Sequence, residues 1–186
     1  MEHFTAEDFK EGEFEKEEKK TSWIKKLCIL ILALFLILLI LSYVLAGSDI
    51  VSILGGKFAS YEVGKDLSIR MDDGKLIIFD EKTYAELVSV WDENRKAEFK
   101  VCLSGTKEGY VYYIKKIMYP LIFKQTVFSV TSEPCPKETL ISLHSHPDNR
   151  CLYSLQDSRA HREAAKSNPD LLSAVMCSKV RFGFYQ

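Results

Sequence analysis

The chain has no surplus of charge of either sign. Its 25 Lys+Arg stand against 26 Asp+Glu, a formal net charge of −1 over 186 residues. A bulk nucleic-acid binder is normally basic, so that class is set aside. Cysteine is scarce and odd in number, five in all, and no two fall in a CxxC pattern. That excludes a complete intramolecular disulfide framework and disfavours a cysteine-only zinc finger. The sequence also lacks internal repeats and low-complexity stretches. With 47% hydrophobic and 27% charged residues it is neither disordered in bulk nor collagen-like. One domain plus a small addition fits the length.

The averages conceal a segregation. Residues 1–26 carry eight Asp/Glu and six Lys with few large apolar side chains. Such a segment buries too little surface to offset its ordering entropy, and disorder is expected there. Residues 27–48 (LCILILALFLILLILSYVLAGS) carry no charge over 22 residues. As a helix this run spans about 33 Å, enough for a hydrocarbon core of about 30 Å. Every face is apolar, with no polar stripe to meet water, so a buried core helix is set aside. Val44-Leu45-Ala46 has the small residues of a cleavage site. The apolar run is nevertheless too long, and the preceding segment too long and acidic, for a signal peptide. An uncleaved single-pass anchor is expected. Lys16, Lys19, Lys20, Lys25 and Lys26 precede the span, and only Lys57 lies comparably close after it. The positive-inside rule then places the N-terminus in the cytoplasm and the main domain on the other side.

Residues 49–66 are expected to link the span to a domain over 67–186. In that domain, 67–71 and 75–79 read as strands around the turn Asp72-Asp73-Gly74. Tyr84, Leu87, Val88 and Trp91 recur at helical spacing and predict a helix over 81–94. Strands are expected at 98–104, 109–118, 125–131, 139–144, 171–177 and 180–185, with a second helix over 154–166 ended by Ser167-Asn168-Pro169. Two helices with six to eight strands make an α+β or α/β sandwich.

The chemistry concentrates near the second helix. The chain holds four histidines, and two of them fall in His144-Ser145-His146, followed by Pro147. Residues two apart on a strand share a face, so both imidazoles can reach one metal ion. Eleven residues after His146 stands Asp157, within Ser154-Leu155-Gln156-Asp157. By itself Ser-x-x-Asp reads as a capping box at a helix start, and two strand histidines can simply face solvent. The helix cap and the metal ligand are compatible, because a capping serine also fixes where the aspartate points.

Together, HSHPDNRCLYSLQD resembles the signature of the JAMM, or MPN+, zinc metalloproteases: His-x-His-Pro, then Ser-x-x-Asp at the family's spacing. Glu98 opens the segment AEFKVCLSG after a predicted helix, and so resembles the family's glutamate-bearing strand. That strand often carries a Gly where this chain has larger residues such as Val101 and Cys102. Glu93 and Glu108 are weaker candidates, on the helix and in a hairpin turn. The resemblance covers residues 67–186 and implies an α+β cytidine-deaminase-like (MPN) sandwich, a mixed sheet flanked by helices. It further implies one Zn²⁺ on His144, His146 and Asp157, with Glu98 as general acid/base and Ser154 as oxyanion donor. The implied activity is hydrolysis of an amide or isopeptide bond, typically at the C-terminus of a ubiquitin-like protein. The segment after Asp157 leaves little room for large insertions, as in a minimal, prokaryotic-type form.

Other readings stay open. A non-catalytic scaffold of the same fold, or a zinc hydrolase of another small amide, would show many of the same residues. His161, one helical turn past Asp157, reads as a solvated helix histidine. Cys151 occupies a position where many family members have cysteine, and it is expected to pack. Cys102, Cys135 and Cys177 read as small core or loop residues, and pairing among these four is open only to a domain outside the cell.

Overall fold

The computed structural model describes residues 23–47 and 55–185. The chain divides into two units, Met1–Val44 and Leu45–Gln186. In the first, helix α1 (Trp23–Gly47) contains one stretch, Trp23–Val44, long and apolar enough to cross a membrane. Of the charged tail expected over 1–26, residues 23–26 belong to α1, while 1–22 and 48–54 lie outside the described residues.

The second unit is mixed α+β. Its strands are β1 (Tyr61–Glu62), β2 (Ser68–Arg70), β3 (Leu76–Phe79), β4 (Lys100–Glu108), β5 (Val111–Met118), β6 (Ile122–Gln125), β7 (Val130–Ser132), β8 (Thr139–Ser145), β9 (Leu172–Ser178) and β10 (Arg181–Tyr185). Eight of them form one sheet in the order β1-β10-β9-β8-β4-β5-β3-β2, and β6 pairs with β7 apart from it. The pairs β8/β9 and β3/β5 are parallel, and the other neighbours in the large sheet are antiparallel. The sheet is nearly closed, since β1 and β2 stand at its two ends yet are joined by one short turn, in which the Gly64 N–H donates to the Ser68 carbonyl at 2.8 Å.

Two differences from the sequence reading stand out. The single strand expected over 125–131 is a hairpin. Its turn is held by Thr126, whose N–H donates to the Ser129 carbonyl at 2.9 Å, so the alternating pattern there spans two short strands. Residues Tyr61–Glu62, expected as linker, add an edge strand against Phe182 and Arg181.

Helix α2 (Glu81–Glu93) starts at Asp80, whose side chain accepts from the N–H groups of Lys82 and Thr83. This capping satisfies donors that a helix start leaves open. Its buried Leu87 and Trp91 join a core with Val101, Leu103, Ile141, Leu143, Ala174 and Met176. Those sheet positions share one parity along β4, β8 and β9, so they point to one face. The opposite parity carries Lys100, Ser142, His144 and Ser173, and all four line a cavity of about 1110 Å³. One face of these strands is therefore packed throughout, and the other opens in part on a cavity with polar residues on its wall. Helix α3 (Leu155–Ala165) contributes Gln156, Asp157, Ala160, His161 and Ala164 to that cavity.

Candidate metal centre

His144 is in the last turn of the β8 ladder, in register with Lys100 on β4 and Val175 on β9. His146 follows the strand, and its backbone N–H still donates to the Met176 carbonyl at 2.9 Å. Neighbouring strands thus fix both histidines, and their alternation turns both rings to the cavity. The two Nε2 atoms are 3.2 Å apart. Asp157 Oδ1 lies 3.3 Å from His144 Nε2, and Oδ2 lies 3.9 Å from His146 Nε2. The three residues offer ligand atoms all within 4.8 Å of one another. Two atoms bound at about 2.0–2.1 Å to one tetrahedral ion would be about 3.3 Å apart. The pairs at 3.2 and 3.3 Å match that spacing, so this group could hold a metal ion.

The surroundings suit a neutral imidazole at His146. The His146 Nδ1–H donates to the Arg150 carbonyl at 2.9 Å, which leaves Nε2 as a lone pair facing His144 and Asp157. Such outer hydrogen bonds set the tautomer of a ligating histidine. Burial first, and the neighbouring His144 second, push the His146 pKa down. Asp157 is ionised through the same geometry. Burial pushes its carboxyl up, but His144 and the bonds from Ser154 outweigh this and hold it well below the usual carboxylate range. The capping box is complete: the Asp157 N–H donates to Ser154 Oγ at 3.2 Å, and the Ser154 N–H donates to Asp157 Oδ2 at 2.6 Å. Cap and ligand candidate are one residue, as the motif allowed. Ser154 Oγ accepts in this bond, so its own proton remains to donate elsewhere.

Glu98 is also here. Its N–H donates to the Thr126 carbonyl at 2.8 Å, which ties the start of β4 to the β6–β7 hairpin. The Phe99 N–H then donates to Ser145 Oγ at 2.9 Å, and the Ser145 N–H to the Phe99 carbonyl at 3.0 Å. Glu98 Oε1 reaches within 3.6 Å of His146 Nε2, and the residue is 6% exposed. Burial, then the charges of Asp157 and Asp148, raise its pKa to about 7 against a small opposing pull from Arg150. A carboxyl at that value can take or give a proton near neutrality. All five residues singled out in the sequence, Glu98, His144, His146, Ser154 and Asp157, therefore line one cavity.

Three readings of single residues change. His161 is buried, not solvated, and its Nδ1 lies 2.9 Å from Ser173 Oγ, with the Tyr185 ring 5.9 Å away. Spacing four residues from Asp157 put it on the cavity side of α3, and that was the signal available. Cys151 does not merely pack: it is bonded to Cys177, with Cα atoms 5.1 Å apart. Cys102 and Cys135 form a second disulfide at a Cα separation of 5.7 Å. The Cys151 bridge pins the loop between His146 and Ser154 to the end of β9. Gly183 of β10 lies under this loop, where an added Cβ would fall 2.2 Å from the Cys151 carbonyl oxygen. Only glycine lets β10 run this close. Tyr153 and Tyr185, not singled out in the sequence, stack at 4.6 Å beside the site, and Tyr185 meets the His144 ring edge at 6.5 Å.

Searches against protein-family models and against the curated proteins find no match to this chain.

Proposed function

We propose that this chain is a membrane-anchored, zinc-dependent amide hydrolase of the JAMM/MPN+ type. The observation that carries the reading is the convergence of His144, His146 and Asp157 at metal-ligand spacing with a buried carboxyl, Glu98, 3.6 Å from His146. His144, His146 and Asp157 would hold the ion, and two imidazoles with one carboxylate are a donor set that suits zinc. When bound, zinc supplies Lewis acidity and makes water a competent nucleophile near neutral pH. Glu98 would take a proton from the attacking water and pass it to the departing amine nitrogen. The Ser154 hydroxyl, already aimed by its cap bond, donates to the oxygen on which negative charge develops. The Arg150 carbonyl keeps the His146 proton on Nδ1 throughout.

The substrate implied by the resemblance is an amide or isopeptide at the C-terminus of a ubiquitin-like protein. The disulfides bear on where such a substrate would be met. All four cysteines outside α1 are paired, and the free thiol is Cys28 of the apolar helix. Disulfides persist on the oxidising side of a membrane. Lysine placement points the same way, so the hydrolase domain is assigned to the side opposite the cytoplasm. Extracytoplasmic proteins and peptides are then the substrates to screen beside ubiquitin-like conjugates.

The test is the Glu98→Gln variant of the full-length protein in detergent. Hydrolysis of a peptide and conjugate panel should vanish while zinc stays bound, and full activity in the variant would remove Glu98 from the mechanism. Thiol labelling of intact cells tests the side. The four paired cysteines should resist maleimide until a reductant is added, whereas ready labelling of reduced thiols only after permeabilisation would place the domain in the cytoplasm.

A further inference from the structure

The cavity extends well beyond the metal-ligand group, from His144 along β8 and α3 to Pro134–Lys137 and Asn168. Its walls carry several charges, and the acids among them are already engaged. Asp157 holds Ser154 and faces His144, Glu163 pairs with Lys166, and Glu98 faces His146. Arg150 pairs with Asp148. Lys100 differs. It opens β4 two residues past Glu98, in register with His144, and it is half-buried. Among the described residues it has no carboxylate and no hydrogen-bond partner. A half-buried cation without a counter-charge costs stability in the empty protein. Bringing an anion to it recovers a charge-assisted hydrogen bond in a partly desolvated place.

We propose that Lys100 is the anion-binding group of this cavity and that the ligand it takes is a peptide-like molecule bearing a carboxylate. The group lies one strand pairing from His144, so the carboxylate sits close to the amide addressed by the metal-ligand cluster. Two sources share this chemistry: an acidic side chain beside that amide, and a free C-terminal carboxylate. The proposal deepens the hydrolase reading by naming a substrate class. It takes from that reading only the cavity as the place where ligand binds.

The test therefore uses binding and not turnover. The full-length protein in detergent is stripped of metal, because a carboxylate could otherwise ligate zinc directly. It is titrated by NMR with acetyl-Ala-Glu-Ala-amide against its Gln isostere, and with acetyl-Ala-Ala-Ala carrying either a free or an amidated C-terminus. In at least one pair the charged peptide should bind about tenfold more tightly, an advantage that shrinks with added salt. The pair that shows it identifies the source. Lys100→Met should erase the advantage and leave the neutral peptide unchanged, while Lys100→Arg should keep most of it. Equal binding of charged and neutral peptides to the unaltered protein overturns the proposal, as does no binding of any of them. An advantage that survives in Lys100→Met does the same. Failure of hydrolysis with zinc present would strike the proposed activity and leave this result standing.

Discussion

The two faces of the central strands are built to opposite rules. On one face of β4, β8 and β9, Val101, Leu103, Ile141, Leu143, Ala174 and Met176 close against Leu87 and Trp91 of α2. On the other, Lys100, Ser142, His144 and Ser173 look into a cavity bounded by α3. Leu143 and His144 are adjacent in sequence, and the pleat sends them to opposite sides. The packed face holds the backbone still, and the polar face uses that stillness to keep three ligand atoms within 4.8 Å of one another. A one-residue slip of β8 would exchange the two sets, so the register that buries Leu143 also aims His144. Core packing and the candidate metal site are thus carried by alternate residues of the same strands.

Substitutions on each face should therefore fail differently. The largest effect belongs to the polar face. Asp157→Asn should weaken zinc binding by more than about 100-fold, beyond the 10–100-fold that loss of an outer partner typically costs. Competition with a chromogenic chelator reads this directly, and unchanged affinity would remove Asp157 from the ligand set. On the packed face, Leu143→Ala should cost about 3 kcal/mol of stability, since it opens a cavity at a residue 1% exposed. Chemical denaturation measures that loss, and the folded fraction should still bind one zinc. A Leu143→Ala protein that stays fully stable but loses metal would break the division of labour.

A slightly smaller loss is expected where the loop after His146 is stapled to β9. Replacing both Cys151 and Cys177 by Ser opens a bridge of sequence separation 26 and should cost about 2–3 kcal/mol. It should also weaken zinc binding, because the freed loop carries the Arg150 carbonyl that holds His146 Nδ1. Opening Cys102–Cys135, far along the chain from those atoms, should cost stability with a smaller change in metal affinity. Equal effects of both bridges on zinc would undo the link drawn between the loop and His146.

The smallest effect has the opposite sign. Glu98 is raised to about 7 in the folded protein from an unfolded value near 4.5. Both states are protonated below pH 4.5, so no penalty exists there. Between 4.5 and 7 the unfolded chain ionises first, and folding loses stability as pH rises. Glu98→Gln removes the ionisable group, so in the metal-free protein it should stabilise by about 2 kcal/mol at pH 8. The gain should fade to nothing at pH 4.5, as read by thermal melts across pH. A destabilised variant at pH 8 would mean that the buried carboxylate is well accommodated and not strained.

How far these features could be read from the chain depends on their range along it. The His144–His146 pair and the Ser154–Asp157 cap are local patterns, and strand alternation and helix capping turn them into geometry with little help from elsewhere. The helix over Glu81–Glu93 was legible for the same reason, from the spacing of Leu87 and Trp91. Non-local facts were not. Cys102 meets Cys135 and Cys151 meets Cys177 only because β4, β8 and β9 are assembled side by side, and no spacing rule encodes that pairing. Thr126 and Ser129 fold an alternating stretch into a hairpin by hydrogen bonds that hydrophobic periodicity does not report. His161 could be placed on the face of Asp157, but its burial needed the position of Ser173 and Tyr185.

The central claim is that the polar face holds one metal ion through residues of β8 and α3. Elemental analysis of the full-length protein, purified in detergent and dialysed against trace zinc, tests it most directly. The account predicts about one zinc per chain, retained in Glu98→Gln and lost in His144→Ala. A protein that stays folded yet takes up no zinc with excess metal present would contradict it, and would leave the two histidines and the aspartate as a strand end and a helix cap.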